Sequence, residues 1–353
     1  MTTIEAVMDE EHIDIDAVSR AGEILKTGGL VAFPTETVYG LGGDALNPES
    51  SAKIYAAKGR PSDNPLIVHI ADMESLYPIV TEIPEAAQKL AEKYWPGPLT
   101  MIFRKKEIVP KETTGGLNTV AVRMPSHKVA LALIKAAGGY IAAPSANLSG
   151  RPSPTLAEHV AADMGGKINM IIDGGAVDIG LESTIVDMTS RQPVILRPGY
   201  ITKEMIQDTL GYEVDYDKAI LGVTSPDEHP RAPGMKYKHY APAGDMVIVK
   251  GSPEAIISYV NRCAEEKRAQ GEKVGVIATK ETYRSYRADQ VVNIGARNDE
   301  DAIAAHLYAT LREFDETGMT SIYSEEFDTP GIGQAIMNRL IRAAAHQIIE
   351  VQS

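Results

Sequence analysis

The sequence lacks several features that would mark particular classes of protein. Cys263 is the only cysteine, which excludes an internal disulfide framework and a cysteine-based zinc cluster and favours a reducing cytoplasm. No apolar run reaches the length of about 18 residues that a transmembrane helix needs. The acidic start, MTTIEAVMDEEHIDID, has neither a basic nor an apolar region, so we do not expect a secretory signal.

Basic charge is also scarce. The formal net charge is −13; residues 1–210 carry 19 Lys and Arg against 26 Asp and Glu, and the remainder carries 16 against 22. Neither half is a basic module, which argues against a protein whose main function is to bind the nucleic-acid backbone. A local basic groove remains compatible with the sequence. The chain also lacks both G-x-G-x-x-G and G-x-x-x-x-G-K-[ST], so any nucleotide must be bound in another way.

The 353 residues are enough for two domains, and the first 210 alternate short apolar strands with amphipathic helices. We predict strands at LVAF, LIVHI, LTMIF, TVAVRM, YIAA, NMIID, STIVDM and PVILR. We predict helices at DIDAVSRAGEILKTGG, PESSAKIYAAK, IPEAAQKLAEKYW, HKVALALIKAAG and TLAEHVAADMG. This content is richer in strands than a simple βαβ series, and it indicates a mixed sheet with helices packed on it, an α/β fold.

The pattern changes at residues 211–243, which have no clear periodicity and hold four prolines. We interpret this stretch as a linker, and linkers of this length are usually functional or disordered. From residue 244 to 353, strands at DMVIVK, KVGVIAT, QVVNI and TSIYS alternate with helices, the last of them predicted over IGQAIMNRLIRAAAHQII. The pattern predicts a smaller, doubly wound α/β domain with a parallel sheet.

Residues 33–45, FPTETVYGLGGDA, follow the first of these strands with hydroxyls and then with glycines. The stretch AAKGRPSDNPLIVH places Lys58, Arg60 and Ser62 around Gly59, where prolines should stop the preceding helix. Two cations beside a glycine suit a polyphosphate, although a solvated helix end would look similar. The added glycine, serine and prolines favour function.

Two predicted strands contain an isolated polar side chain. His69 lies in LIVHI, on the same face as Ile67 if side chains alternate, and taken alone it is more simply a core histidine. Arg123 ends the strand TVAVR, where it could hold a carboxylate bidentately or form an internal ion pair. The sequence leaves those two roles of Arg123 equally open.

Hydroxyl and amide side chains cluster at IAAPSANLSGRPSPT and at the boundaries of two further strands. They are Ser145, Asn147, Ser149, Ser153, Ser183 and Thr184, and Arg197 ends another strand. A turn with a helix N-cap explains part of the serine cluster equally well. We find no defensible Ser-His-Asp set, metal-ligand cluster or reactive cysteine, so the inventory favours a site that binds a phosphate-bearing substrate and positions reactants.

Seven of these stretches, FPTETVYGLGGDA, KGRPSDNPLIVH, YWPGPLT, VAVRMP, APSANLSG, GLESTIVD and ILRPG, resemble the YrdC/TsaC family. The PGMKYKHYAP linker and the trailing α/β domain resemble its two-domain members, which are threonylcarbamoyl-AMP synthases. The resemblance implies a twisted mixed sheet around a concave, positively lined cavity. It also implies a reaction of L-threonine, bicarbonate or CO2 and ATP that gives threonylcarbamoyl-AMP and pyrophosphate. A separate transferase complex would then modify tRNAs that read ANN codons.

The resemblance also implies roles for single residues. Threonine would be bound by Thr35, His69, Arg123, Ala143 and Ser183. ATP would be bound by Lys58, Ser62, Thr119, Ser145, Asn147, Ser153, Arg197 and the linker residue Tyr237. Lys58 and Arg60 would be catalytic, stabilising phosphate charge together with Mg2+, for which we assign no protein ligand. Glu36 has no assigned role; pairing with a neighbouring cation is favoured over action as a base.

The implied mechanism is attack of the threonine amine on CO2, followed by attack of the carbamate on the α-phosphorus of ATP while the linker closes over the site. The main alternative is an RNA-binding module with a local basic cavity, which the net charge disfavours. A carbamoyl-transfer protein of the hydrogenase-maturation type is excluded by the single cysteine, since those proteins carry cysteine-rich zinc segments. We expect no membrane association and no tight nucleic-acid binding.

Overall fold

The computed structural model of this protein describes residues 2–218, 220, 240–327 and 331–352. The chain divides into two compact units, one comprising Met1–Ser149 and Ser153–Tyr237, the other Gly150–Pro152 and Lys238–Ser353. Within the described ranges, no helix is both long enough and apolar enough to cross a membrane. The domain boundaries that we infer from the sequence stay a prediction, and most of the linker, including Tyr237, lies outside the described residues.

The first unit is built around one large sheet. Its described elements, in chain order, are β1 (Ile4–Val7), α1 (Ile15–Lys26), β2 (Val31–Phe33), β3 (Gly40–Asp44), α2 (Pro48–Lys58), β4 (Ile67–His69), α3 (Glu85–Tyr94), β5 (Leu99–Arg104), β6 (Thr119–Arg123), α4 (Lys128–Ala136), β7 (Ile141–Ala142), α5 (Ala157–Met164), β8 (Met170–Asp173), β9 (Thr184–Asp187), β10 (Val194–Arg197), α6 (Lys203–Leu210) and β11 (Asp215–Tyr216). The described strands are ordered β1-β8-β2-β3-β7-β4-β6-β5-β9-β10-β11. Parallel pairs such as β4/β6 and β5/β9 alternate with antiparallel pairs such as β5/β6 and β9/β10, which confirms the predicted mixed sheet.

Strand residues alternate between two apolar layers on opposite faces of this sheet. Ala32 belongs to the larger layer, which also takes buried residues from α2, α3, α5 and α6, whereas Val31 and Phe33 belong to the other layer with α1 and α4. Alternation with a period of two is what a strand buried on both faces requires. The sheet is therefore covered by helices on both faces near β2.

Farther along the sheet, at β4, β6, β5, β9 and β10, the second face carries a small separate apolar cluster. Its buried members are Ile67, Ile102, Ala121, Ile185 and Leu196. His69 and Arg123 lie two residues beyond Ile67 and Ala121, so they project from this same face, as alternation predicted for His69. Polar side chains thus replace the apolar layer at the ends of these strands.

The helix α2 is held by signals that can be seen in the sequence. Asn47 caps it by accepting a hydrogen bond from the Glu49 amide, Pro48 occupies its first turn, and Gly59 ends it in a left-handed conformation at φ 60°. This stop confirms the prediction that the helix ends at the KGRP segment. It fixes Lys58 on the last helical turn and Arg60 on the loop that follows.

The second unit contains a five-stranded sheet among its described residues. Its elements are β12 (Asp245–Lys250), α7 (Pro253–Ala269), β13 (Val274–Ala278), a 3₁₀ turn (Tyr283–Ser285), β14 (Gln290–Asn293), α8 (Glu300–Thr317), β15 (Ser321–Glu325), α9 (Gly333–Ala343) and β16 (Ile348–Glu350). The strand order is β14-β13-β15-β12-β16, and every neighbouring pair is parallel. This confirms the predicted parallel α/β domain.

Two sequence-based predictions of elements were wrong. The final helix was predicted through Ile349, but α9 ends at Ala343 and the chain then forms β16, because Ala345 and His346 adopt left-handed φ values of 47° and 65°. The glycine-rich GLGGD segment was placed outside the predicted strands, and it is the strand β3. The short strands β1 and β11 and the helix α6 were not predicted.

Candidate active site

The site is organised by one cross-strand row on the polar part of the sheet. His69 on β4 is the register partner of Arg123 on β6, and Arg123 is in turn the partner of Thr100 on β5. The row continues through Ile185 on β9 to Arg197 on β10. Register partners project from the same face, so the two predicted threonine ligands His69 and Arg123 lie side by side.

The turn that follows β2 reaches Arg123. The Nη1 of Arg123 donates a hydrogen bond to the Thr37 hydroxyl at 2.8 Å, and the hydroxyls of Thr35 and Thr37 lie 2.9 Å apart. The Thr35 hydroxyl also donates to the Val38 carbonyl at 2.6 Å, which closes the turn on itself. The structure thus brings Thr35 to the same place as His69 and Arg123.

An ion pair joins this turn to the row. The Oε1 of Glu36 lies 2.7 Å from the Nη2 of Arg123, and both side chains are buried. The structure therefore supports the favoured role of Glu36, which is to pair with a neighbouring cation. Both roles left open for Arg123 remain compatible with this contact, since its Nε and Nη2 receive no aligned hydrogen-bond acceptor from the described residues.

His69 is a neutral imidazole at physiological pH. Burial, and then the positive charge of Arg123, lower the pKa of His69 to about 3. Its Nδ1 lies 3.2 Å from the Ile67 carbonyl oxygen, and the edge of Phe33 packs against its ring at a centroid distance of 6.3 Å. His69 can therefore shape and hydrogen-bond to a ligand without adding charge to the site.

The far end of the row is held by hydroxyl and guanidinium contacts around Ser183. The Thr100 and Ser183 hydroxyls lie 2.8 Å apart, and Arg197 donates from Nε to the Ser183 carbonyl at 3.1 Å and from Nη2 to its hydroxyl at 3.2 Å. Arg197, which was predicted to bind ATP, thus also braces a predicted threonine ligand. The two predicted sets meet at Ser183.

A second cluster forms where α2 ends. The Nζ of Lys58 donates to the carbonyls of Ser145 and Asn147, the latter at 2.5 Å, and the Ser145 hydroxyl donates to Oδ1 of Asn147 at 2.6 Å. The backbone also connects this loop to the row, because Ala143 donates to the Ile67 carbonyl at 2.9 Å. Three predicted ATP ligands are therefore brought together beside the predicted threonine ligand Ala143.

The remaining predicted residues are more scattered. Arg60 donates from Nη2 to the carbonyls of Asn64 and Pro65 at 3.3 and 3.1 Å, and so braces its own loop. Ser62 is exposed and lines a cleft of about 470 Å³. The Ser153 hydroxyl donates to Oε1 of Glu182 at 2.5 Å. Thr119 begins β6, at the opposite end of the strand from Arg123.

Sequence reasoning missed two polar residues that the structure places here. Thr100 joins Ser183 to the row, and the only signal for it is a threonine in the apolar strand LTMIF. Glu182 is buried and accepts a hydrogen bond from Ser153. Its position just before the strand STIVDM gave no sign in the sequence that it belongs to the site. Tyr237 lies outside the described residues. In the part of the chain that the structure describes, no group of three or more His, Cys, Asp or Glu side chains could hold a metal.

Comparisons with known proteins agree with the motifs. The family model described as "Telomere recombination" (Sua5/YciO/YrdC) matches residues 23–199, and the model described as "Threonylcarbamoyl-AMP synthase, C-terminal domain" matches residues 201–345. Threonylcarbamoyl-AMP synthase of Pyrococcus abyssi is 47% identical over 341 residues, which are 97% of this chain and 98% of the relative. The Bacillus subtilis protein of the same description is 48% identical over 344 residues, 97% of each chain.

A solved structure is similar over nearly the same span. The crystal structure of P. abyssi Sua5 complexed with L-threonine is 44% identical, with a TM-score of 0.92, and the match covers 99% of this chain and 100% of that one. The similarity therefore extends through both units.

Proposed function

This chain belongs to the threonylcarbamoyl-AMP synthase family, and we propose that it converts L-threonine, bicarbonate or CO2 and ATP into L-threonylcarbamoyl-AMP and pyrophosphate. The family predicted from the sequence motifs is thereby confirmed, and with it the nucleotidyl-transferring class of enzyme. We further propose which residues of this chain bind threonine and which bind ATP.

The observation that carries the proposal is the buried guanidinium of Arg123 in the row. Nη1 is occupied by Thr37, Nη2 lies 2.7 Å from Oε1 of Glu36 without an aligned hydrogen bond, and Nε has no acceptor among the described residues. Two adjacent N–H groups on one edge of a guanidinium match the two oxygens of an α-carboxylate. We assign the carboxylate of threonine to this edge.

The residues around Arg123 suit the rest of the amino acid. Thr35 and Ser183 supply hydroxyls, and neutral His69 supplies a ring nitrogen, all of which can hydrogen-bond to the hydroxyl of threonine. Ala143 is buried and small, which leaves room for the threonine methyl group. A site with buried hydrogen-bonding partners rejects analogues that lack the hydroxyl, because those partners would be left unpaired.

The cluster at Lys58 supports ATP binding at the adjoining loop. The carbonyls of Ser145 and Asn147 fix the Lys58 ammonium beside two side chains that can donate to phosphate oxygens. A fixed cation beside such donors stabilises charge on the α-phosphate and on the departing pyrophosphate. The catalytic role of Arg60 and the nucleotide contacts of Ser62, Thr119, Ser153, Arg197 and Tyr237 remain predictions.

The described residues do not group enough side chains together to hold Mg2+ by protein ligands alone. The described residues hold no cluster of three carboxylate or imidazole ligands. We therefore propose that Mg2+ enters with the phosphates of ATP, as is common for this ion, and we derive no step from it. The cytoplasmic location, the separate transferase complex and the modification of tRNAs reading ANN codons are part of the same proposal.

Pyrophosphate release tests the function. With ATP and Mg2+ present, we expect release only when threonine and bicarbonate are both added. Arg123→Ala should raise the KM for threonine by about 10- to 100-fold, the equivalent of one lost charge-assisted pair. Arg20→Ala, an exposed arginine of α1, is the control and should leave KM unchanged.

Other results would contradict the proposal in different ways. Release with neither threonine nor bicarbonate would indicate a plain nucleotide hydrolase. No release at all, together with salt-sensitive RNA binding, would favour the RNA-binding alternative.

A further inference from the structure

Glu36 is a buried acid whose oxygens are not satisfied by its ion pair. It is 5% exposed, and its Oε1 lies 2.7 Å from Nη2 of Arg123, which is 4% exposed. Nevertheless, no described residue donates an aligned hydrogen bond to Oε1 or Oε2. The two charges touch, but the N–H vector of Arg123 does not point at the carboxylate. A buried carboxylate without hydrogen bonds is costly, which suggests that another partner belongs there.

Hydrogen bonds hold the backbone on which Glu36 lies. The Glu36 carbonyl accepts from the Ile179 amide at 2.9 Å, and the Thr37 carbonyl accepts from the Gly180 amide at 3.1 Å. The Thr37 hydroxyl is fixed by Arg123. The backbone of Glu36 is thus anchored, and its carboxylate is placed by this anchoring together with the contact to Arg123.

The charged groups that face Glu36 come from several elements. Arg123 lies on β6, and His127 precedes α4, with its Nδ1 3.8 Å from Oε1 of Glu10. Burial lowers the pKa of His127, while the acids Glu10, Glu36 and Asp178 oppose that shift. His69 beside Arg123 is neutral. Arg123 is therefore the permanent cation that faces Glu36.

Given the proposed function, on which this inference rests, we propose that Glu36 is a catalytic residue that binds the α-ammonium of threonine and takes its proton. The ammonium and the carboxylate of an amino acid are attached to the same carbon. A cation and an anion 2.7 Å apart, both with unused hydrogen-bonding atoms, match this zwitterion. When the substrate carboxylate bonds to Arg123, the ammonium on the same carbon lies beside the carboxylate of Glu36, within reach of proton transfer.

The proton must leave because an ammonium has no lone pair with which to attack carbon. With bicarbonate as the carbon source, a nitrogen–carbon bond forms, a carbon–oxygen bond breaks, and that oxygen leaves as water. Threonine ammonium and bicarbonate thus give the carbamate, water and one net proton, which Glu36 accepts and later releases to solvent. With CO2 as the source, the π bond of one C=O breaks as the nitrogen–carbon bond forms, and its electrons stay on that oxygen. Two protons are then released in all, one to Glu36 and one to water.

The test is the pH dependence of pyrophosphate release by Glu36→Gln. Glutamine keeps the size of the side chain but cannot take the proton. We expect kcat at pH 7 to fall by about 100- to 1,000-fold, in the range of general-base catalysis. The loss should shrink by about tenfold per pH unit towards the pKa of the free amine, because solution then supplies unprotonated threonine. Glu36→Asp should keep the wild-type pH profile at a lower rate.

Controls separate this role from a structural one. Glu10→Gln, a neighbouring acid that is not part of the site, should keep the wild-type pH profile. If Glu36→Gln instead showed the wild-type profile with only a raised KM for threonine, Glu36 would merely position Arg123 and the inference would be overturned. Wild-type protein without threonine- and bicarbonate-dependent release would instead refute the proposed function.

A second measurement covers the case in which Glu36→Gln does not fold. Wild-type protein should bind threonine at least about tenfold more tightly than the analogue with a hydroxyl in place of the α-amine, the worth of one charge-assisted contact. Equal affinity for threonine and for the analogue would show that no carboxylate binds the ammonium, and would also overturn the inference.

Discussion

At the scale of single residues, His69 is buried like a core residue and also belongs to the polar row of the candidate site. A histidine in an apolar strand is more simply a core residue, and His69 is indeed 4% exposed. The register that pairs it with Arg123 also places it in the polar row. Burial keeps it neutral, and this has a measurable consequence for stability.

We predict that His69 makes the folded protein less stable as the pH falls. Its pKa is about 3 in the folded state against an ordinary value of 6.5, so below pH 6.5 the unfolded chain binds a proton that the folded chain does not. The free energy of unfolding should then fall by about 1.4 kcal/mol per pH unit, or about 2 kcal/mol between pH 7.5 and pH 5. His69→Gln should lack this contribution in denaturant titrations at the two pH values.

The wild-type protein, unfolded at the same two pH values, supplies the control for this prediction. An identical pH dependence in wild type and His69→Gln would contradict the neutral, buried state of His69.

Residue types could be predicted from the sequence, but their partners could not. Arg123 was recognised as a carboxylate ligand or an ion-pair member, and nothing in the sequence selects Glu36 from 48 acidic residues. The pair forms because the turn after β2 is anchored by Ile179 and Gly180, which are more than 140 positions away. Thr100 was missed for the same reason, since only the pairing of β5 with β6 brings it to Arg123.

At the scale of elements, β3 shows where local propensity fails. Glycines weaken a strand, so GLGGD was not among the predicted strands. The structure requires the glycines because neighbouring side chains press against the strand. A Cβ on Gly42 would lie 2.9 Å from Cγ2 of Ile141 and 3.0 Å from Cε1 of Phe33. The packing of β3 between β2 and β7 therefore overrides the weak intrinsic preference.

We predict that Gly42→Ala destabilises the protein. The new methyl would overlap two buried side chains, and overpacking of this kind costs about 1–3 kcal/mol. Denaturant unfolding of the purified variant measures the effect. Gly40→Ala is the graded control, because its nearest contacts would be the looser 3.3 Å to Cζ of Phe33 and 3.4 Å to Cβ of Ala143. A loss from Gly40→Ala as large as that from Gly42→Ala would refute the packing explanation.

At the scale of the whole molecule, the two sheets follow from the order of elements, whereas the order of strands does not. A mixed sheet and a parallel sheet were both predicted, because strand-rich and alternating patterns differ in sequence. The row that forms the site depends on β4, β6, β5, β9 and β10 lying side by side, an order that no local pattern encodes. The motifs therefore predicted residues for the candidate site, and the strand order brings those of the row together.

The whole molecule also includes the linker, whose predicted role concerns ATP rather than threonine. Tyr237 lies outside the described residues, and we predict that Tyr237→Ala raises the KM for ATP by about tenfold, within the worth of an aromatic ring stacked on a base. The KM for threonine should not change, because the row that we propose to bind threonine belongs to the sheet. Steady-state pyrophosphate release with each substrate varied in turn measures both constants.

Tyr212→Ala, a partly exposed tyrosine just after α6, is the matched control and should alter neither KM. An unchanged KM for ATP in Tyr237→Ala, or an equal rise in both constants, would rule out a linker that closes on the nucleotide.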